Sequence, residues 1–417
     1  MLNLFKNFNF MKLFLGRFIT NIGDSIYYVA AMWLVYELGG SAFYSGLAGF
    51  LILIPNAFQF LFGPIVDKHS VKSILVISQV IQAILVSIIP ILYYYELLSV
   101  TLILIIMPII SIVNQFAYPA SQAIIPKVIP RDHLVKGNSL MSIAYQGVDM
   151  AFNAISGILI GLVGIIYLYM IDTMTFIICS ILFFLIKIPK DEKSEVSEES
   201  SEIKERVKLY FKELKEGIRF CFDTIVSKFF IQNIIANFVL GAMMAILPAY
   251  ADLRGGPEVY GLLLGVFSAG ILTGSFLAPF LEKVKLGYLL SVSFFIGSIM
   301  WTSSALIGNN VLSIAIFGLA SVPIGITNVV LFSTLQNIIP EKLMGRVLSV
   351  IMSIGSCSMP IGSLLGGILS PIIGIKLLMA LCGSGFLIVS IYILVNSEVR
   401  RLPSSKNLKP TNFRISV

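Results

Sequence analysis

Apolar runs of about 20 residues, the length that carries a helix across a hydrocarbon core, recur from one end of this chain to the other. In such surroundings each backbone polar group must find its partner within the same segment, which leaves the α-helix for a run of this length. Composition agrees. Only 12% of the 417 residues are charged and 57% are hydrophobic, with a mean hydropathy of +0.94. That is too little charge to cover the surface of a water-soluble protein of this size. The chain therefore reads as an all-α integral membrane protein. Its first apolar run exceeds a signal-peptide core and has no small-residue cleavage site behind it, so it is expected to stay as a helix.

The pattern predicts twelve spans, at roughly 13–37, 45–66, 72–95, 99–121, 139–164, 167–187, 227–251, 258–281, 286–307, 311–337, 345–370 and 374–396. Lysine and arginine fix an expected orientation. With the N-terminus inside, the outer loops hold only Arg254 and Lys376, and almost all the remaining basic residues of the 29 fall in inner segments. Both termini and the segment between spans 6 and 7 are then cytoplasmic. The net charge of +7 becomes a topological signal and a contact for anionic headgroups, with no need of nucleic acid.

The expected organisation is a first six-helix bundle over 1–187, a linker over 188–226, a second bundle over 227–398 and a tail over 399–417. Residues 190–202 are charged and serine-rich, and residues 203–221 carry apolar positions at helical spacing. The spacing predicts an amphipathic helix lying along the inner membrane surface. The two bundles repeat one another. Pro64, Asp67 and Lys68 recur at a constant offset as Pro279, Glu282 and Lys283. "GGSAFYSGL" (39–47) recurs as "GGPEVYGLL" (255–263), and "VIPRDHLVKGNSL" (128–140) as "IIPEKLMGRVLS" (338–349). Landmarks in the same order indicate two pseudo-symmetric halves of six parallel-repeated helices.

The loop after span 2, with Gly63, Asp67, Lys68 and Lys72, resembles the major facilitator superfamily signature Gly-x-x-x-Asp-Arg/Lys-x-x-x-Arg/Lys. "LGRFITNIGDSIYYVAAMWLVYELGGSA", the two inner "IP" loops, "MIDTMTF" and "GRVLS" resemble its macrolide-efflux-type and siderophore-exporter-type branch. Ser70 and Val71 depart from the loop pattern, and span 5 lacks the Gly-Pro pair of many drug antiporters. The resemblance implies two bundles rocking about a midplane cavity. It also implies a cytoplasmic gate in which Asp67 faces the start of span 11 near Gly345 and Arg346, with Glu282 and Lys283 as the repeat's copy.

A charge at mid-bilayer costs at least about 2.5–3.5 kcal/mol, so each one is a functional candidate. In span 1, Arg17, Asn21, Asp24 and Tyr28 share one face. In span 5, Gln146, Asp149 and Asn153 form a second polar stripe, and span 4 adds Tyr118. Asp172 is expected near the outer interface, where capping span 6 competes with a coupling role. Arg17 is expected to snorkel or to anchor a loop. The second half carries no mid-membrane acid, so proton chemistry is expected in the first, on Asp24 with Asp149 or Asp172.

The four cysteines show no paired spacing, and no histidine, cysteine or carboxylate cluster has metal-ligand spacing. No cofactor is expected. The lack of any nucleophile–base constellation argues against an enzyme, and the short linker argues against a sensor with a soluble output domain. The expected function is proton-coupled export of amphipathic small molecules such as macrolides, by a monomer in a bacterial cytoplasmic membrane. A siderophore or nutrient transporter of the same fold remains the alternative.

Overall fold

The computed structural model describes residues 6–58, 70–130, 133–187 and 215–404, excepting the side chains of Val135, Ser139, Ser142, Gln146, Asp149, Met150, Asn153, Ala154, Glu341, Lys342, Gly345 and Ser349. The described residues are helical throughout, apart from turns and one isolated bridge between Lys285 and Ser404. The first half holds α1 (Phe8–Gly39), α2 (Ala42–Ala57), α3 (Val71–Tyr94), α4 (Val100–Val128), α5 and α6 (Ile165–Phe184). α5 runs as Leu134–Ser142, a π-helical turn Ile143–Gly147, and Val148–Val163. The second half holds α7 (215–223), α8 (Val226–Asp252), α9 (Pro257–Leu277), α10 (Leu286–Leu306), α11 (Asn310–Ile338), α12 (Glu341–Ile373), α13 (Ile375–Val395) and the short α14 (Ser397–Arg400).

Ten of the described helices are long and apolar enough to cross a membrane. The expected spans 45–66 and 139–164 take other forms. α2 is a shorter apolar helix, and the rest of its expected span lies outside the described residues. α5 covers the other, with the π-turn breaking its regular ladder.

Caps mark where these helices begin. The Asn7 side chain accepts from the backbone N–H of Asn9 and Phe10, both at 3.1 Å, closing α1. Its amide donates to the Val128 carbonyl at 2.7 Å, and Lys12 donates to the Leu185 carbonyl at 2.8 Å. The start of α1 thus satisfies open carbonyls at the ends of α4 and α6. Ser70, where the loop departs from the family pattern, caps α3 by accepting from Ser73 N at 3.4 Å. The turns α5–α6 and α12–α13 each consist of one glycine, Gly164 at φ 91° and Gly374 at φ 88°. Only glycine takes that backbone without strain, so the two halves repeat this corner as well.

The chain divides into two compact units. One takes the first half together with Met244–Gly265 and Gly367–Ile372; the other takes the rest of the second half. In the first unit, Phe10, Leu13, Leu75, Ile124 and Phe183 belong to a continuous apolar core between α1, α3, α4 and α6. Ile77, Ile84 and Ile91 lie seven residues apart on the outer side of α3 and are exposed, as a lipid-facing stripe should be. In the second unit, Trp301 packs among Phe267, Phe317 and Phe386 and donates from Nε1 to the Met379 carbonyl at 3.1 Å.

Candidate functional site

α1 is the post on which the polar groups of the first half are hung. Successive residues of a helix point 100° apart, so its polar side chains reach different neighbours. Arg17, only 2% exposed, donates from Nε to Ser121 Oγ at 2.5 Å and from NH2 to the Ala117 carbonyl at 2.6 Å, both on α4. Its guanidinium also lies over Phe183, 5.4 Å from the ring centre, and 6.0 Å from that of Tyr145. This corrects the expectation of a snorkelling or loop-anchoring cation. α1 begins at Phe8, earlier than its apolar run suggests, which carries Arg17 further from the helix end and into the packed interior.

One turn on, Thr20 Oγ1 lies 2.9 Å from the Gly16 carbonyl and 3.1 Å from Gln79 Oε1 on α3. Gln79 Nε2 then donates to Gln82 Oε1 at 3.0 Å, and both glutamines are fully buried. Asn21 donates to the carbonyl of Ala144 at 2.6 Å. Ala144 lies in the π-turn of α5, where the widened ladder leaves carbonyls for outside donors. Asn21 thereby fixes the irregular turn that carries Tyr145 and Gln146.

The third neighbour is α6. Gly23 gives it room: a Cβ there would collide with Asp172 Oδ1 and Thr175 Oγ1. Asp172 is 0% exposed and sits in the second turn and beyond of a helix that begins at Ile165, so it does not cap α6. Thr175 Oγ1 lies 2.8 Å from the Asp172 carbonyl and 3.2 Å from its Oδ1. Tyr27 and Tyr169 meet edge to face above it, with ring centres 5.8 Å apart. Asp172 Oδ2 and the Tyr27 and Tyr169 hydroxyls are buried with no hydrogen-bond partner among the described residues. Asp24, half-buried on the next position of α1, lies within electrostatic reach of Asp172.

Of the expected site residues, the structure thus brings Asn21, Asp24 and Asp172 to one post. Tyr28 is half-buried on the same helix. Tyr118 is exposed on α4 and packs edge to face on Tyr145 at 5.4 Å. Gln146 lies in the π-turn and Asp149 and Asn153 in the helix after it, while their side chains lie outside the described set. Gly63, Asp67 and Lys68 also lie outside the described residues. Lys72 sits over the Phe184 ring at 5.1 Å. Glu282 and Lys283 are exposed after the 3-10 turn Ala278–Leu281. Gly345 lies near the start of α12, and Arg346 NH1 bonds Glu216 Oε2 at 2.7 Å.

Sequence reasoning passed over Thr20, Gln79, Gln82, Tyr27, Tyr169 and Thr175. The available signal was the pair of glutamines three apart in "SQVIQA", a spacing that puts both on one face of an otherwise apolar helix. Of the expected linker helix only the end is described, residues 203–214 lying outside the described residues; in α7 the buried positions are Gly217 and Cys221, while Ile218 is exposed.

Residues 2–414 match the family described as transmembrane secretion effector, of the major facilitator superfamily. This chain belongs to that family. It is 27% identical over 410 residues to macrolide efflux protein A of Streptococcus pyogenes, covering 94% of this chain and 97% of the relative. It is 27% identical over 361 residues to the uncharacterized MFS-type transporter YkuC of Bacillus subtilis, covering 83% and 82%. Among solved structures, a bacterial homologue of the human lysosomal transporter Spinster, inward-facing and unoccupied, superposes with a TM-score of 0.68 at 13% identity, over 94% of this chain and 96% of the other. The family is one of membrane transporters, not enzymes, and this member is a multi-pass protein of the bacterial cell membrane type.

Proposed function

We propose that this transporter is a secondary active exporter that moves amphipathic, drug-like molecules out of the cell in exchange for protons, by alternating access. Twelve crossings in two six-helix bundles, with both termini cytoplasmic, are part of the same reading. Its substrate class follows the likeness to macrolide efflux protein A. Its coupling rests on one observation: Asp172, buried opposite Gly23 with Oδ2 unpartnered among the described residues, next to Asp24. Buried polar atoms without a protein partner mark places where water or an exchanging group is held, and intramembrane acids are rare outside such pathways.

Asp24 and Asp172, with Asp149, then take up and release the proton. Asn21, Tyr28, Gln146, Asn153 and Tyr118 border the substrate path. Gly63, Asp67, Lys68, Lys72, Glu282, Lys283, Gly345 and Arg346 form the cytoplasmic gate. The test is efflux of a macrolide and of a cationic dye from cells and everted vesicles. A protonophore abolishes efflux, and Asp24→Asn and Asp172→Asn abolish energised transport while keeping exchange of labelled substrate at equilibrium. Efflux that survives the protonophore would refute the coupling, and wild-type energised transport in both variants would refute these acids.

A further inference from the structure

The linker helix α7 makes a specific contact that the transport reading leaves unused. Glu216 Oε2 accepts from Arg346 NH1 at 2.7 Å, joining α7 to the start of α12. At the next residue, a Cβ on Gly217 would stand 3.0 Å from the Arg346 carbonyl oxygen, so the two backbones are nearly in contact. One turn further, Cys221 is fully buried, and Phe222 meets Phe230 of α8 edge to face at 5.6 Å. α7 is therefore gripped at both ends, by α12 at Glu216–Gly217 and by α8 at Phe222.

The two helices it grips already run in close register. Gly241 and Ala242 of α8 lie against Met359 and Gly366 of α12, and Gly362 lies against the Phe238 backbone, leaving no room for a Cβ at the glycines. α8 and α12 are also two of the three helices whose length is divided between the compact units, at Met243 and at Gly366. A clamp across their starts fixes how far one can slide along the other.

We propose that Glu216 is a positioning residue for Arg346, and that α7 is a strap holding the start of α12 to the start of α8, so that the two helices move as one body. The proposal rests on the transport reading only for its effect on turnover. Because the pair is partly exposed, with side chains 32% and 45% accessible, ionic strength acts on it directly. Screening shortens the reach of a charge from about 10 Å at 0.1 M salt to about 3 Å at 1 M.

Cys221 reports the strap. It is buried on the inward face of α7, and burial pushes its thiol up to about 12, so it reacts slowly while the strap is down. The experiment labels the purified full-length protein, carrying Cys357→Ser to remove the exposed thiol, with N-ethylmaleimide. Peptide mass spectrometry reads Cys221. Glu216→Gln speeds labelling by about two- to fivefold, the range that an exposed ion pair commands. High salt speeds the parent protein to the same degree and leaves Glu216→Gln unchanged. The charge swap Glu216→Arg with Arg346→Glu restores slow labelling and the salt response. Gly217→Leu, which wedges the helix without touching charge, also speeds it. In transport, Glu216→Gln lowers the maximal rate and leaves the substrate concentration at half-rate unchanged. Labelling of Glu216→Gln at the parent rate, or a charge swap that stays fast, overturns the proposal. Absence of any efflux by the parent protein would sink the transport reading and leave the labelling result intact.

Discussion

α1 and α8 are the first long apolar helices of the two halves, and they are held in opposite ways. α1 is tied to its neighbours by polar groups: Arg17 to α4, Thr20 to α3 and Asn21 to α5, with Asp172 of α6 filling the notch at Gly23. α8 is tied to α12 by missing side chains, with Gly241, Gly362 and Gly366 letting the helices touch along their backbones. In lipid, apolar side chains gain nothing from leaving the solvent, so helices associate through close packing or through polar contacts. α1 relies on the polar contacts and α8 on the close packing. Close packing resists deformation and suits a lever. A polar post holds groups that exchange partners and suits chemistry.

The sharpest way to break this contrast is steric. Gly362→Leu places a branched side chain on the Phe238 backbone, which has no rotamer to yield. Overpacking of this sort costs about 1–3 kcal/mol and sometimes more. The expected result is loss of monodisperse protein on size exclusion in detergent, the largest effect among these variants. Arg17→Met comes next. It removes two hydrogen bonds from a charged donor and leaves Ser121 and the Ala117 carbonyl to find other partners. Bonds to charged groups are worth about 1.5–3 kcal/mol each, part of which is returned because the variant no longer buries a charge. The expected outcome is a clear fall in the thermal midpoint of purified protein. An unchanged midpoint would mean that α1 is held by packing alone, as α8 is.

Trp301→Phe sits lower on the scale. It keeps an aromatic ring in the cluster but removes the bond to the Met379 carbonyl and leaves a small cavity at a fully buried site, so it should cost about 2 kcal/mol, read as a modest shift in the same melting experiment. A large shift would show that the second unit, too, relies on a polar anchor.

How much of this could be seen in the sequence follows from what periodicity carries. The apolar runs, the repeat and the polar face of α1 are all spacing, and spacing survives without a structure. Depth does not. Arg17 looked close to a helix end because the expected span begins at residue 13, while an asparagine cap at Asn7 starts the helix at Phe8, more than a turn earlier. Asp172 looked interfacial for a similar reason, since its distance from a helix end says nothing about what packs against it. Gly217 in the linker was invisible, because a search for apolar spacing gives no weight to a residue whose role is to be absent. Gln79 and Gln82 were legible in spacing, yet their meaning depends on Thr20, which lies on another helix.

The smallest expected effect tests the contrast most directly. Asn237 looks like a polar anchor of α8, but its amide donates to Asn233 O at 2.9 Å and lies 3.3 Å from Asn233 Oδ1, within its own helix. Both side chains face Gly355 of α12 and take up the space that its missing Cβ leaves. Asn237→Ala therefore loses a local bond and a little packing, a change of about 1 kcal/mol or less, and energised efflux should stay within about twofold of the parent on the same scale. Asn21→Ala makes a matched control, since Asn21 spans two helices and holds the π-turn of α5. If the two variants lose energised transport equally, the division between a chemical half and a mechanical half is wrong. If only Asn21→Ala does, the polar post of α1 is where transport is coupled.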